Sequence, residues 1–190
     1  TVSQFMDFRI NYGDLPGATI GAVQGESWTE VLECYRFMRS NADYVAISFD
    51  FSMYQTTGIS QRSDNKPTLK RQATGRQNLV KRLIDEGEWD WNKPHHLLGC
   101  SLAREFRYYV DNRITNIRSC DTSNPIVAAL KGLKYNSDQG LQEKPSTMLC
   151  DLINADVDED VYDLTHYNTT MFKKILHRVP DPKIWTAEMV

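Results

Sequence analysis

The feature that most constrains this chain is a strand-then-helix pattern that occurs four times in its first 135 residues. Each time, a short apolar run ends in a polar or glycine-containing step, and a capped amphipathic helical pattern follows. Strands that alternate with helices in this way form βα units on a parallel sheet. The predicted strands cover residues 18–23, 44–49, 95–99 and 114–119. We therefore predict an α/β fold, in which four βα units make half of an eight-stranded, TIM-type barrel.

Composition and length are typical of one globular domain. The chain has 190 residues, of which 41% are hydrophobic and 25% are charged. We predict a single domain over 1–190, with the βα units at about 17–135 and an extension at 136–190 that carries one helix, at about 166–177. The net charge of −3 argues against a uniformly basic nucleic-acid coat, although it does not exclude a local basic patch.

Targeting and metal signals are absent from the sequence. No apolar run approaches the ~18 residues of a membrane span, and the first residues do not resemble a signal peptide. The four cysteines form no C-x-x-C pair, which favours reduced thiols and a cytoplasmic protein. The acidic run 156–160 begins like a calcium loop, but Val161 and Tyr167 stand where that loop needs glycine and glutamate. We predict no metal site and no cofactor, and interpret this run as a solvated charge cluster.

Capping residues predict where the helices begin. A Ser or Thr followed three residues later by Glu or Gln forms a capping box, and Asn before Pro is a second common start. The predicted N-terminal caps are Ser27, Thr74, Ser101 and Asn124.

The carboxyl ends of parallel strands are where βα proteins place their chemistry. These ends hold Gln24, Asp50, Cys100 and Asp121. Asp121 lies between a strand and a helix start, where backbone N–H groups favour an ionised carboxylate that can attack a glycosidic carbon. The alternative is that Asp121 only caps the helix. Gln24 beside Gly25 is either a ligand-binding amide or an ordinary polar strand end.

Two further features remain open from the residues alone. Gly99 leaves a strand end without a side chain, which suits a flat ligand lying on backbone but equally suits a tight turn. The polar connection 55–73 is long for a compact domain, so it is either a phosphate-contacting arm or a solvated loop. Its basic residues are Arg62, Lys66, Lys70 and Arg71.

The segments in this order resemble one known family. Residues 21–25 (Gly-Ala-Val-Gln-Gly), 44–48 (Tyr-Val-Ala-Ile-Ser) and 96–106 (His-Leu-Leu-Gly-Cys-Ser-Leu-Ala-Arg-Glu-Phe), followed by an aspartate at a strand end, are similar to the C-terminal half of the tRNA-guanine transglycosylase barrel. The family has G-x-V-Q-G, A-I-G-G, L-M-G-V and F-D strands in the same order. The resemblance spans about 17–135. Residues 96–106 and 121–125 look more like the phage-encoded branch that inserts 7-deazaguanine bases into DNA.

The resemblance implies base exchange through a covalent aspartyl-glycosyl intermediate. Asp121 corresponds to the nucleophile that attacks the sugar C1′ and expels guanine, after which a 7-deazaguanine takes its place. Gln24 and Gly25 match the strand that binds the base edge, while Leu98 and Gly99 match one wall and a backbone contact of the base pocket. The target base must leave its stack, and the basic residues of 55–73 would hold the strand backbone. For a phage-encoded protein, the compartment is the host cytoplasm.

The sequence also departs from the family. Ser48 and Phe49 replace the glycine pair at the second strand end, so base recognition there would differ. The zinc ligands of the tRNA enzymes are absent, and so are the first four βα units, which supply the general acid/base. The sequence is therefore a fragment, a subunit completed by another chain, or a diverged half-barrel that no longer catalyses, and we expect association with a second chain or copy because half-barrels expose sheet edges.

Three functional classes follow. The first is a transferase, complete or half, that exchanges guanine for a 7-deazaguanine in DNA, with tRNA as the alternative substrate. The second is a non-catalytic nucleic-acid-binding partner of such an enzyme. The third is an unrelated βα enzyme of sugar or phosphate chemistry, because a fold alone does not determine function.

Overall fold

The protein is described by a computed structural model over residues 1–13, 16–60, 69–136, 140–141, 149–152 and 154–177. Helices and strands alternate through most of these segments, with one short 3-10 helix at Leu149–Leu152. The elements are α1 (Val2–Tyr12), β1 (Ile20–Val23), α2 (Trp28–Asn41), β2 (Tyr44–Ile47), α3 (Phe51–Thr56), α4 (Leu69–Asp85), β3 (His95–Leu97), α5 (Glu105–Asp111), β4 (Ile117–Cys120), α6 (Asn124–Ala129) and α7 (Glu159–His177).

The four strands form one parallel sheet in the order β1-β2-β3-β4. Each strand is hydrogen-bonded to the next one along the chain, so the order never reverses. The register pairs Ala22 with Ala46, Ala46 with His96 and His96 with Ser119, with one irregularity between β3 and β4. The predicted α/β fold with parallel strands is confirmed, and each strand lies within or one residue beyond its predicted range.

The chain divides into two compact units. The first comprises Thr1–Pro67, Arg71–Leu98 and Asn116–Cys120, and so contains the whole sheet. Its core is formed by β2, in which Val45, Ala46 and Ile47 are fully buried, and by the inward face of α2.

The second unit comprises Thr68–Lys70, Gly99–Thr115 and Asp121–Val190. Here α6 packs on α7, and the buried Asn168 of α7 joins three backbone groups. Its Oδ1 accepts from the Tyr135 N–H at 2.9 Å, while its Nδ2 donates to the carbonyls of Leu133 (2.9 Å) and Pro125 (3.3 Å).

Five helix starts can be compared with predicted ones. Two of them, those of α2 and α7, are capped by side chains. Ser27 accepts from the Glu30 N–H at 3.3 Å, as predicted for α2, and Glu30 reaches back to the N–H of Glu26. The acidic run before α7 also has a capping role, because Asp158 accepts from the Val161 N–H at 2.9 Å. As a result, α7 begins at Glu159 rather than near residue 166.

The other three helix starts differ from prediction. Helix α4 begins at Leu69, five residues before Thr74, because residues 69–73 are all good helix formers. Helix α5 begins at Glu105, with Arg104 rather than Ser101 at its N-cap position. Ser123 occupies the N-cap position of α6, and the Asn124 side chain instead accepts a hydrogen bond from the Tyr135 hydroxyl.

Helix α1 was not predicted at all. It buries none of its residues fully, and it contacts α2 through an edge-to-face pair between Phe5 and Phe37. None of the helices within the described segments is both long and apolar enough to cross a bilayer.

Candidate functional site

The four strands end along one edge of the sheet, since all of them run in the same direction. The residues directly after the strands are Gln24, Ser48, Leu98 and Asp121. The ends of β1 and β4 are the outermost, separated by three strand spacings, or roughly 14 Å across a flat sheet. Of the predicted strand-end residues, Gln24 and Asp121 directly follow their strands, whereas Asp50 and Cys100 each lie three residues beyond the end of theirs.

Asp121 is exposed, and its carboxylate is held by the turn after β3. Its Oδ1 accepts from the Gly99 N–H at 3.1 Å, and its backbone carbonyl accepts from the Cys100 N–H at 2.7 Å. Gly99 has φ +63°, a conformation that favours glycine. The N–H of Asn124, at the start of α6, donates to the Thr122 hydroxyl at 3.1 Å. The carboxylate is thus oriented by backbone while it remains accessible to solvent.

A cavity of about 840 Å³ lies at the carboxyl ends of β1 and β2, within the first unit. Gln24, Gly25 and Asp50 line it, together with Cys34 and three glutamates. Gln24 is exposed, and its Oε1 accepts from the Thr1 hydroxyl at 2.7 Å. This volume is within the range of small-molecule sites, so the cavity can admit a ligand the size of a purine.

Two residues that line the cavity, Gly25 and Asp50, have structural roles. The sequence alone does not distinguish these roles from ligand binding. A Cβ added to Gly25 would lie 2.6 Å from the Val31 backbone nitrogen, so glycine is needed there for the close approach of α2. Asp50 caps α3, because its Oδ1 accepts from the N–H groups of Ser52 (2.9 Å) and Met53 (3.3 Å). Burial raises the pKa of the Cys34 thiol, which keeps this cavity-lining cysteine protonated.

Phe49 and Leu98 contact Arg76, a residue that was not predicted as part of the site, while the Ser48 carbonyl accepts a hydrogen bond from the Tyr54 hydroxyl. Arg76 of α4 is fully buried, and its guanidinium donates to the Leu98 carbonyl at 2.7 Å and to the Ile47 carbonyl at 3.3 Å. Its Cζ lies 4.7 Å from the centre of the Phe49 ring. The sequence carries one signal for Arg76. It lies three, four and seven residues before the buried Leu79, Val80 and Leu83, so helical periodicity places it on the buried face of α4.

The predicted phosphate-contacting arm is only partly described. Arg62 and Lys66 lie outside the described residues. Lys70 and Arg71 are exposed, but they lie in the first turn of α4, so their prediction as loop residues was wrong. The high helix propensity of 69–73 explains the difference, and the side chains can still reach solvent.

The adjacent histidines point to different partners, as their positions on a strand predict. His95 is fully buried, hydrogen-bonded to Tyr35 of α2 at 3.0 Å and to Asn116 at 3.2 Å, and stacked on Trp89. Burial lowers the pKa of His95 to about 4, so it is neutral at pH 7. His96 Nδ1 lies 2.8 Å from the Ser119 hydroxyl on the neighbouring strand. The described residues contain no cluster of three His, Cys, Asp or Glu side chains suited to a metal ion.

No family model, no curated protein and no solved structure matches this chain. The site is therefore interpreted from its own residues and geometry.

Proposed function

We propose that this chain forms half of a barrel-type transferase that exchanges guanine for a 7-deazaguanine in nucleic acid, most favourably in DNA. The observation that carries the proposal is the carboxylate of Asp121, which is exposed at the end of β4 and oriented by the Gly99 N–H at 3.1 Å. An oriented, accessible carboxylate is what a glycosyl-enzyme nucleophile requires.

The chemistry proceeds in two displacements. An Asp121 oxygen attacks C1′ of the target nucleotide, the C1′–N9 bond breaks, and guanine leaves with a proton delivered to the base. The incoming 7-deazaguanine then loses its N9 proton as that nitrogen attacks C1′ and releases Asp121. Two displacements on the same carbon retain its configuration. The family resemblance assigns the proton donor and acceptor to the first four βα units of the barrel.

The strand order supports the barrel component of this proposal. In doubly wound sheets the strand order reverses at a switch point, whereas here each strand lies beside the next one in sequence. A barrel of eight parallel strands has this sequential order throughout. Four more strands, from the same protein, from another chain or from a second copy, would close the sheet and cover the edges at β1 and β4.

The resemblance assigns recognition of the base edge to Gln24, which lines the cavity at the ends of β1 and β2, and in a closed barrel the carboxyl ends of all strands face one common mouth. Gln24 offers both an amide donor and an acceptor to the edge of a purine. The exposed Lys70 and Arg71 offer positive charge for a phosphate backbone. A target in single-stranded DNA needs no base flipping, which lowers the energy required to reach the site.

A denaturing gel tests the nucleophile. The chain, with a completing N-terminal half where one is identified, is incubated with single-stranded DNA and 7-deazaguanine. The wild type is expected to give a band shifted above 21.9 kDa. Asp121→Asn is the matched control, because asparagine keeps an oxygen to accept from Gly99 but cannot act as the nucleophile. Loss of the band in Asp121→Asn supports the proposal.

Three outcomes count against parts of the proposal. A band only with tRNA would assign the tRNA substrate instead of DNA. An equal band in Asp121→Asn would remove Asp121 as the nucleophile. Salt-sensitive DNA binding without any band, in the complete assembly, would favour a non-catalytic binding subunit. The solution mass, compared with 21.9 kDa for one chain, reports whether a second copy completes the sheet.

A further inference from the structure

Arg76 occupies a position where a helix normally presents an apolar side chain to the core. It is 0% exposed, and it lies three, four and seven residues before the buried Leu79, Val80 and Leu83. Burying a guanidinium is unfavourable unless its N–H groups are satisfied. Leucine at this position would continue the apolar face of α4. The presence of an arginine instead indicates that its contacts have a role.

The contacts of Arg76 connect two strand ends. The Ile47 carbonyl belongs to the last residue of β2, and the Leu98 carbonyl to the first residue after β3. The guanidinium also lies over the ring of Phe49, two residues beyond β2. One guanidinium therefore contacts the residue that follows β3 and the segment just before Asp50, which lines the cavity at the ends of β1 and β2.

The neighbouring residues keep α4 close to the end of β2. A Cβ added to Gly75 would lie 2.3 Å from the Tyr54 ring, so the helix can approach α3 only with glycine at this position. The Tyr54 hydroxyl donates to the Ser48 carbonyl, and the Leu98 N–H donates to the Ile47 carbonyl at 3.0 Å. Arg76 thus belongs to a group of contacts that determines where Ser48, Phe49 and Leu98 lie.

We infer that Arg76 is a positioning residue that couples the ends of β2 and β3 and so determines the shape of the base pocket. Its role in base recognition rests on the proposed function; its role in coupling the two strand ends does not. Arg76 acts through Phe49 and Leu98 rather than by touching the base. Both carbonyls accept from one guanidinium nitrogen, Nη1, and lysine is a poor replacement because its compact ammonium lacks the planar group that lies over the Phe49 ring.

Hydrogen exchange of the full chain tests the coupling. In Arg76→Lys, exchange is expected to rise about tenfold both in residues 48–53 and at the Leu98 amide, which corresponds to the loss of one charge-assisted hydrogen bond. The matched control is Arg82→Lys on the same helix. Arg82 stacks on Trp28 at 3.9 Å and pairs with Glu86, and both partners lie away from these strand ends. This control is expected to change neither segment.

A second variant keeps the test decisive where Arg76→Lys does not fold. Phe49→Leu removes the ring that confines the guanidinium but leaves the backbone hydrogen bonds in place. Coupling predicts faster exchange at the Leu98 amide as well as near residue 49. A change confined to residues 48–53, or a uniform rise across the sheet, would overturn the inference, because a merely structural arginine gives one of those two patterns.

Titration with 7-deazaguanine then distinguishes a failure of the inference about Arg76 from a failure of the proposed base exchange. If the wild type binds the base, Arg76→Lys is expected to weaken its affinity about tenfold while Arg82→Lys leaves it unchanged. If, in the complete assembly, no variant binds the base but both segments loosen together in Arg76→Lys, the base-exchange proposal fails and the coupling stands. If the wild type binds and Arg76→Lys binds equally well, the positioning role is refuted.

Discussion

Replacing Asn168 with alanine is expected to lower the free energy of unfolding by about 3 kcal/mol. The side chain is 0% exposed and makes three hydrogen bonds to backbone groups of Tyr135, Leu133 and Pro125. A buried hydrogen bond contributes about 1 kcal/mol net, and alanine leaves all three backbone groups without this partner. The same burial makes Asn168 unsuitable as a glycosylation acceptor, although it begins an Asn-Thr-Thr sequence.

Urea denaturation followed by circular dichroism at 222 nm measures this change, because α7 and α6 contribute to the helical signal. With a slope of about 2 kcal/mol per molar urea, the midpoint is expected to fall by about 1.5 M without a change of slope. Asn112→Ala is the matched control, since Asn112 is exposed and bonds only locally to the Tyr108 carbonyl at 2.8 Å. A loss below about 0.5 kcal/mol in Asn168→Ala, equal to that expected for this control, would refute the reasoning.

Three further predictions concern the first unit. Ser27→Ala is expected to lower the free energy of unfolding by about 1 kcal/mol because α2 loses its cap. The control Ser40→Ala, on the same helix, is expected to change it by no more than about 0.5 kcal/mol. Equal effects of the two substitutions in urea denaturation would contradict the capping role. Gly75→Ala is expected to destabilise by about 2 kcal/mol, since its Cβ would lie 2.3 Å from the Tyr54 ring, and an unchanged or higher melting temperature would disprove this packing. The pKa of His95 is lowered from 6.5 to about 4 by burial, so the unfolded chain binds its proton first as the pH falls. Stability should therefore drop by about 3 kcal/mol more between pH 7 and pH 4 in the wild type than in His95→Gln, and parallel pH profiles would show that His95 does not titrate in this way.

Much of the fold could be predicted from the sequence because its signals are local. The apolar runs of β1 to β4 and the stripe of α2 depend on residues within a few positions of each other, and Ser27 lies three residues from its partner N–H. Helix α1 escaped prediction for the same reason. Its apolar residues are spread around the helix, so none is fully buried and no stripe marks a packed face.

The candidate site was predictable only in part. The strand-end positions of Gln24 and Asp121 follow from counting along the chain, since Gln24 comes directly after the predicted strand 18–23 and Asp121 comes two residues after the predicted strand 114–119. The hydrogen bond from Gly99 to Asp121 joins residues 22 positions apart, and no local pattern indicates it. The helix start at Glu105 was missed because Arg104, at its N-cap position, makes no capping hydrogen bond with its side chain, and the start at Leu69 depends on the helix propensity of 69–73.

The sequence by itself determined the alternation of strands and helices and the residues that stand at the strand ends, because periodicity and capping act over one or two helical turns. Tertiary structure alone decided what the buried polar groups do. Arg76 and Asn168 can each be read in the sequence as polar residues among apolar ones, but the carbonyls that satisfy them lie 22 to 43 residues away. A buried donor needs an acceptor within hydrogen-bond distance. Which carbonyl accepts from it depends on the tertiary fold, because the fold brings distant backbone segments together.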